Sequence, residues 1–336
     1  MALDKVLKRY QNLKMEKSER EFFAKILLFG EYGVICNSMG LSIPYLEFKG
    51  KLTFFNEKSG VSAEFAQKSN KSIRQFFKYL SNLAEKNELK TRLNFEEFSK
   101  ELDRNIFFDS NIPQGFGIGS SGALVAAIYD RYAIDKIPAE KKHTKRELRK
   151  LKDIFAQMES FFHGKSSGLD PINCYLNKPL LIENISTISE IGLNKIATEE
   201  KSGIFLIDTG TVGNTGPLVN YFLEQCKDDK FYSSLQQEMI PANNKCIKSY
   251  IKGELYDFYV HVKALSKFLL HHFGPMIPDP FIEVWKKGLE TSAYYLKLCG
   301  SGGGGYLLGF ARDLEYAKEE LEKLQVKIIP VAVTSK

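Results

Sequence analysis

The stretch NIPQGFGIGSSGALVAA, beginning at Asn111, constrains this chain more than any other. It places Gly115, Gly117 and Gly119 at alternate positions and then Ser120 and Ser121 directly before a run of small apolar residues. Glycines so spaced let a backbone turn and bring its N–H groups close to another group with no Cβ in the way. The run 123–133, rich in Ala, Ile and Leu, predicts a buried helix whose first turn begins at the serines. The free N–H groups of such a start, together with the positive end of the helix dipole, form an anion nest. Ser120 and Ser121 add hydroxyls that reach a phosphate oxygen or a metal bound to it. A glycine turn followed by an ordinary serine N-cap accounts for the stretch equally well, so the rest of the chain has to decide.

Two nucleotide motifs overlap this region, and neither fits. Gly117, Gly119 and Gly122 match G-x-G-x-x-G, but a dinucleotide fingerprint follows its strand directly and sets an acidic residue at the end of a second strand. Here DSNIPQ separates strand from glycines, and Asp135 follows the helix with no room for a strand. HGKSSG contains Gly164-Lys165-Ser166, yet the position where a Walker loop needs its first glycine is Glu159. No H-R-D or D-F-G set of a protein kinase is present.

Composition excludes other classes. At 336 residues the chain suits two domains of moderate size, and 43% hydrophobic with 26% charged residues is the balance of a soluble globular protein. The net charge of +6 is spread among 41 acidic residues, which suits a small anion better than a nucleic-acid duplex. Cys36, Cys174, Cys226, Cys246 and Cys299 are scattered without a C-x-x-C pair, against a disulfide framework or a zinc site and in keeping with a reducing cytosol. The opening MALDKVLKRYQNLKMEKSER is too charged for a signal peptide, and no stretch approaches the roughly 20 apolar residues of a membrane span. Leu3, Val6, Leu7, Tyr10 and Leu13 instead predict an amphipathic helix that packs on the body or on a partner.

Periodicity predicts strands over 22–30 and 40–48 and a helix over 72–86. Asn94 with Glu97 and Thr144 with Glu147 announce two more helices, the second running to Gly164, and 106–108 reads as a short strand. A polar stretch over 184–201 marks a boundary. Beyond it lie a strand (203–208), helices through Leu265 and Leu289, a glycine loop at Gly300, a strand (306–310), a helix (314–324) and a last strand (326–333).

Three further stretches complete a constellation. AKILLFGEYGV puts Lys25 at a strand start, MESFFHGKSSGLDP carries Glu159 and Asp170, and KLCGSGGGGYLLGF is a second glycine loop between apolar runs. With the Gly-Ser loop they resemble the GHMP small-molecule kinases, in the order of that family and over nearly the whole chain. The pattern E-x-x-x-H-G-x-x-S-G-x-D from Glu159 to Asp170 is most similar to the mevalonate kinases, and DTGTVGNTGPLV from Asp208 is similar to their stretch near the substrate. The resemblance implies an α+β, two-domain fold. An N-terminal domain (1–190) would carry the phosphate loop, metal and catalytic residues, and a ferredoxin-like C-terminal domain (191–336) the substrate stretch and second glycine loop, with the site between them.

The same resemblance implies ATP and Mg²⁺ as cofactors. Gly115, Gly117, Gly119, Ser120, Ser121 and Gly122 would bind nucleotide phosphates, and Ser121 with Glu159 the metal, Ser120 being the alternative serine. Mg²⁺ takes one or two protein oxygens beside phosphates and waters, which suits Ser and Glu. Asp170 would receive or orient the proton of the substrate hydroxyl, with Lys25 paired to it. An ammonium keeps such a carboxylate ionised, and phosphoryl transfer asks mostly for positioning and electrostatics. Glu31, Tyr32, His163, Gly164, Ser167, Thr209, Gly302 and Gly303 fall on the substrate side. Glu159 and His163 stand four apart on one helix face, where His163 serves as a hydrogen-bonding residue rather than a base.

The implied reaction is ATP-dependent phosphorylation of the C5 hydroxyl of mevalonate in isoprenoid precursor synthesis. Its partners are mevalonate and ATP, without nucleic acid or membrane; a homodimer is compatible with it. Four departures stand against the pattern: Tyr32 where mevalonate kinases often have His, Gly122 for Ala after the motif serine, Ser166 for a common Pro, and Gly213 where a basic residue is frequent. Lys165 is an alternative source of that charge, although it reads first as an ordinary solvated lysine. G-E-Y is more usual in phosphomevalonate kinases, which makes these, or another GHMP kinase, the runner-up. A catalytically silent binding protein on the same fold is the alternative of another class, disfavoured by the presence of Lys25, Ser121, Glu159 and Asp170 together.

Overall fold

The computed structural model describes residues 20–56, 60–184, 187–192 and 201–332; the helix expected at the N-terminus lies outside the described residues. Strand β1 (Phe22–Phe29) pairs antiparallel with the long β2 (Gly40–Phe54). Helices α1 (Ala63–Glu85) and α2 (Phe95–Asp103) lead to β3 (Ile106–Ser110), which also pairs with β2. Then follow α3 (Ser120–Tyr132), α4 (Lys145–His163) and α5 (Leu169–Leu176). Strands β4 (Leu180–Asn184) and β5 (Thr187–Glu190) close a five-stranded sheet through the β2–β4 and β4–β5 pairings.

The second half builds a four-stranded antiparallel sheet. It begins with β6 (Gly203–Asp208), and the helices α6 (Thr215–Gln225), α7 (Asp229–Ser234), α8 (Ile240–Lys252), α9 (Leu255–His272) and α10 (Pro280–Thr291) follow in turn. Then come β7 (Tyr295–Leu298), β8 (Tyr306–Ala311), α11 (Leu314–Glu322) and β9 (Ile329–Val331), in sheet order β7-β8-β6-β9. The mixed α+β class is as expected.

Local chemistry explains most boundaries. Asn94 caps α2 by accepting from the Glu97 N–H, and Thr144 with Glu147 forms a complete capping box on α4. Helix α1 starts at Ala63, well before the apolar spacing from Ser72, because Ser62 caps it by accepting from the Phe65 N–H, while the polar run 67–71 interrupts the apolar pattern after its first turn. β2 runs past residue 48 to Phe54, where it pairs with β3, and the last strand shrinks to Ile329–Val331. The polar boundary stretch 184–201 contains β5, whose Ile188 is buried. Helix α5 was not anticipated, although Pro171 in a first turn is a helix-start signal.

Helix α3 is buried from Gly122 to Tyr129, as its all-apolar composition requires. At its end Arg131 makes two hydrogen bonds to the Glu101 carboxylate, which also accepts from the Tyr132 hydroxyl, so the buried charges satisfy each other. Phe29, at the end of β1, stacks on Phe310 of β8 (centroids 5.2 Å apart) and meets Phe258 of α9 edge-on at 5.9 Å. One fully buried ring thus joins the first sheet to the second. Phe29→Ala should lower the unfolding free energy by about 3–5 kcal/mol, read from urea denaturation. A loss below about 1 kcal/mol would show that the two sheets do not depend on this stack.

Candidate active site

Lys25 lies within β1 rather than at its start, and it is 3% exposed. Its Nζ is 2.8 Å from Asp170 Oδ1 and donates to the Gly117 carbonyl at 3.2 Å, while its backbone N–H donates to the Ile118 carbonyl at 3.0 Å. Burial pushes the Lys25 ammonium down, and the adjacent Asp170 carboxylate more than reverses this, so the net shift is upward. Asp170, in the first turn of α5, is half-exposed and can face a bound molecule.

The Gly-Ser loop closes over this pair. Gly119 takes φ +83° as the N-cap of α3, where a Cβ would lie 3.0 Å from Lys25 Cγ. The first-turn N–H groups of α3 have no partner one turn back in the helix, so the loop ends in donors and a positive dipole. At Gly122 a Cβ would fall 2.8 Å from both the Asp170 carbonyl carbon and the Pro171 nitrogen. Gly122 therefore lets α3 and the head of α5 meet, which explains glycine there in place of alanine.

Beside the ion pair, Ser121 Oγ donates to Glu159 Oε1 at 3.0 Å and lies 3.0 Å from His163 Nε2. Ser166 Oγ donates to the other Glu159 oxygen. Glu159 is buried at the end of α4, and its carboxyl is pushed up to about 7 by burial and by the negative charge of Asp170, against the pull of those hydroxyls and of Lys25. Lys25, the loop 117–122, Glu159, His163 and Asp170 thus converge. Ser166 was not anticipated as a member; its signal was a hydroxyl residue where proline is common.

The remaining expected residues gather at the second glycine loop. Gly117 (φ +77°) abuts it, since a Cβ would lie 2.5 Å from the Cys299 carbonyl oxygen. The stretch after β6 straps both loops: Gly213 N–H donates to the Gly115 carbonyl at 3.1 Å, and Val212 covers Gly115. Thr209 donates twice to the Gly305 carbonyl, through its N–H at 2.9 Å and its hydroxyl at 2.7 Å. Gly302 packs on the Met276 carbonyl, which accepts from Gly303 N–H. Tyr32 donates its hydroxyl to the Ser301 carbonyl at 2.7 Å. Glu31 is buried and pairs with Lys297 of β7 at 2.5 Å. Lys297, with Nζ also donating to the Leu298 carbonyl, is the second residue not anticipated; a lysine inside the apolar run YYLKLC must find a buried partner. Gly164, Ser167 and His163 are exposed at the rim.

Gly122→Ala should cost about 1–3 kcal/mol in urea denaturation, because the clash is with backbone. Its crystal structure should show Asp170 displaced from Lys25; an unmoved pair at full stability would refute the spacing role.

Residues 79–178, from within α1 to just past α5, match the family model for the GHMP kinases N terminal domain. No protein of curated function matches the chain in sequence. Among solved structures, the chain is similar to L. major mevalonate kinase in complex with R-mevalonate: 16% identity, TM-score 0.61, covering 94% of this chain and 96% of that one. It is similar to Streptococcus pneumoniae phosphomevalonate kinase in complex with phosphomevalonate and AMPPNP, at 13% identity and TM-score 0.60 over 93% and 99% of the chains. Lactococcus lactis galactokinase complexed with galactose matches at 13% identity and TM-score 0.57 over 100% and 99%. At these identities the likeness concerns the fold.

Proposed function

We propose that this chain, which carries the N-terminal domain of the GHMP kinases within the fold of that superfamily, transfers the terminal phosphoryl group of ATP to a small-molecule hydroxyl, the C5 hydroxyl of mevalonate. The observation that carries this reading is the buried Lys25 ammonium, 2.8 Å from the half-exposed Asp170 carboxylate and bonded to the glycine loop that opens α3. Backbone N–H groups of that loop and of Ser120 and Ser121 hold the phosphates. Asp170 holds the acceptor hydroxyl and takes its proton, while Lys25 keeps Asp170 ionised and offsets charge on the attacking oxygen.

The donor set fits a hard cation. The Ser121 hydroxyl and Glu159 carboxylate are in direct contact, and no cluster of three or more His, Cys, Asp or Glu suited to a metal occurs among the described residues. Two protein oxygens with phosphates and waters are what Mg²⁺ accepts, and when bound it would neutralise phosphate charge. The G-E-Y of the first motif and the net charge of +6 favour phosphomevalonate as second reading.

A coupled ADP-release assay with mevalonate, phosphomevalonate and galactose as acceptors decides among these. Turnover with mevalonate is expected; turnover only with another acceptor moves the assignment, and none with any acceptor favours the binding-protein alternative. Asp170→Asn should lower kcat by about 10²-fold or more while both substrates still bind. Lys25→Met should lower kcat too, and the double variant should lose less than the product of the single losses. Multiplying effects would mean that the two residues do not act as one unit. Glu159→Gln should weaken Mg²⁺–ATP use and recover in part at raised Mg²⁺; unchanged activity at limiting Mg²⁺ would remove Glu159 from the metal site.

A further inference from the structure

We propose that Cys36 and Cys226 form a redox pair whose disulfide fastens the turn after Tyr32 to the end of α6 and slows turnover. The effect on turnover rests on the kinase reading above; the pairing itself does not.

Cys36 ends the tight turn Gly33–Cys36 that Tyr32 opens, and Cys226 caps α6 one helical turn beyond Phe222. The Tyr32 and Phe222 rings pack with centroids 4.8 Å apart. This contact lays the turn along the helix end and brings the two thiols close enough to act on each other's ionisation. Both are half-buried, next to Ile35 and Leu223, which are 47% and 43% exposed, so a small reagent has access. Cys174, Cys246 and Cys299 are buried and offer no competing pair. Neither Cys36 nor Cys226 has a part in the site as described.

Burial pushes both thiols up, Cys226 to about 12, and the charged groups at that helix end, Glu224 and Lys227, pair with each other at 2.7 Å. The pair is thus held as thiols near neutral pH and exchanges slowly, responding to a sustained oxidising poise rather than to a pulse. The oxidant is a low-molecular-weight disulfide, RSSR. Cys36, deprotonated, attacks one sulfur to give Cys36–S–S–R and RS⁻; Cys226, deprotonated, then attacks Cys36 Sγ, forming the protein disulfide and expelling the second RS⁻. The two thiol protons end on two RSH, and RSSR gains the two electrons that the cysteines lose.

The bond would join two parts that both hold the second glycine loop. Tyr32 holds Ser301, and α6 continues the strap that runs from Thr209 over Gly115. Tied together, they would hold the second glycine loop in one placement and restrain any movement of it that admits an acceptor or releases product.

Incubation of the whole protein with oxidised glutathione near pH 8, followed by alkylation and peptide mapping, tests the pair. A peptide joining Cys36 to Cys226 is expected, lost with dithiothreitol and absent from Cys36→Ser and from Cys226→Ser. Both variants should keep the turnover of the reduced protein. Turnover of the cross-linked chain should fall about tenfold and return on reduction. Separate glutathione adducts, or no modification, would overturn the pair. A cross-link with unchanged turnover would overturn its restraint on the site. Should no acceptor be phosphorylated by the reduced protein, the kinase reading has failed, and the peptide map still decides the pair.

Discussion

The buried ammonium of Lys25 is the constraint on which the site is built. An amine 3% exposed in an apolar strand stays charged only if its surroundings replace water, and two segments far from it in sequence supply that replacement. Asp170 gives the counter-charge, Gly117 a carbonyl, and Ile118 a carbonyl to the backbone N–H of the same residue. β1, the glycine loop and the head of α5 are therefore held as one unit. Loss of the Asp170 charge leaves an uncompensated buried ammonium, a heavier penalty than the pair's own contribution to stability.

Glycine makes that convergence sterically feasible. The glycines of the two loops are closely packed: Gly122 admits the Asp170 backbone, Gly117 admits the Cys299 carbonyl, and Gly305 comes against Phe116. The two glycine loops touch backbone to backbone, and the buried Glu31–Lys297 pair ties the end of β1 to β7, which leads into the second loop. Two ion pairs, one of them wholly buried, thus fix the registry of the two loops.

Much of this was legible because the signals were local. Caps at Asn94 and Thr144, the apolar run of α3 and the i, i+4 placement of Glu159 and His163 depend on neighbours in sequence. What escaped depends on distant partners. Lys297 looks like an ordinary charge in a strand until Glu31 is brought to it, and Ser166 like a loop serine until Glu159 folds back. Glu31 and Tyr32 fell on the substrate side by resemblance, whereas in the structure a lysine and a carbonyl of the second loop engage them. Helix α5 was hidden by the glycine that precedes it, since Gly168 at φ +73° reads as a turn although it is the N-cap.

Charge at the centre is not balanced by the nearest protein groups alone. Lys25 stands against two carboxylates, Asp170 and Glu159, and the charge of Asp170 is, after burial, the main cause that raises the Glu159 carboxyl. Asp170 takes the ammonium by direct contact. Glu159 is left with the hydroxyls of Ser121 and Ser166, which stabilise a carboxylate but do not neutralise it. A buried acid so placed has two routes to neutrality, a proton or a cation. Under the proposed kinase reading the second route would draw positive charge to the side of the loop where phosphate oxygens add more negative charge, and would leave Lys25 committed to Asp170.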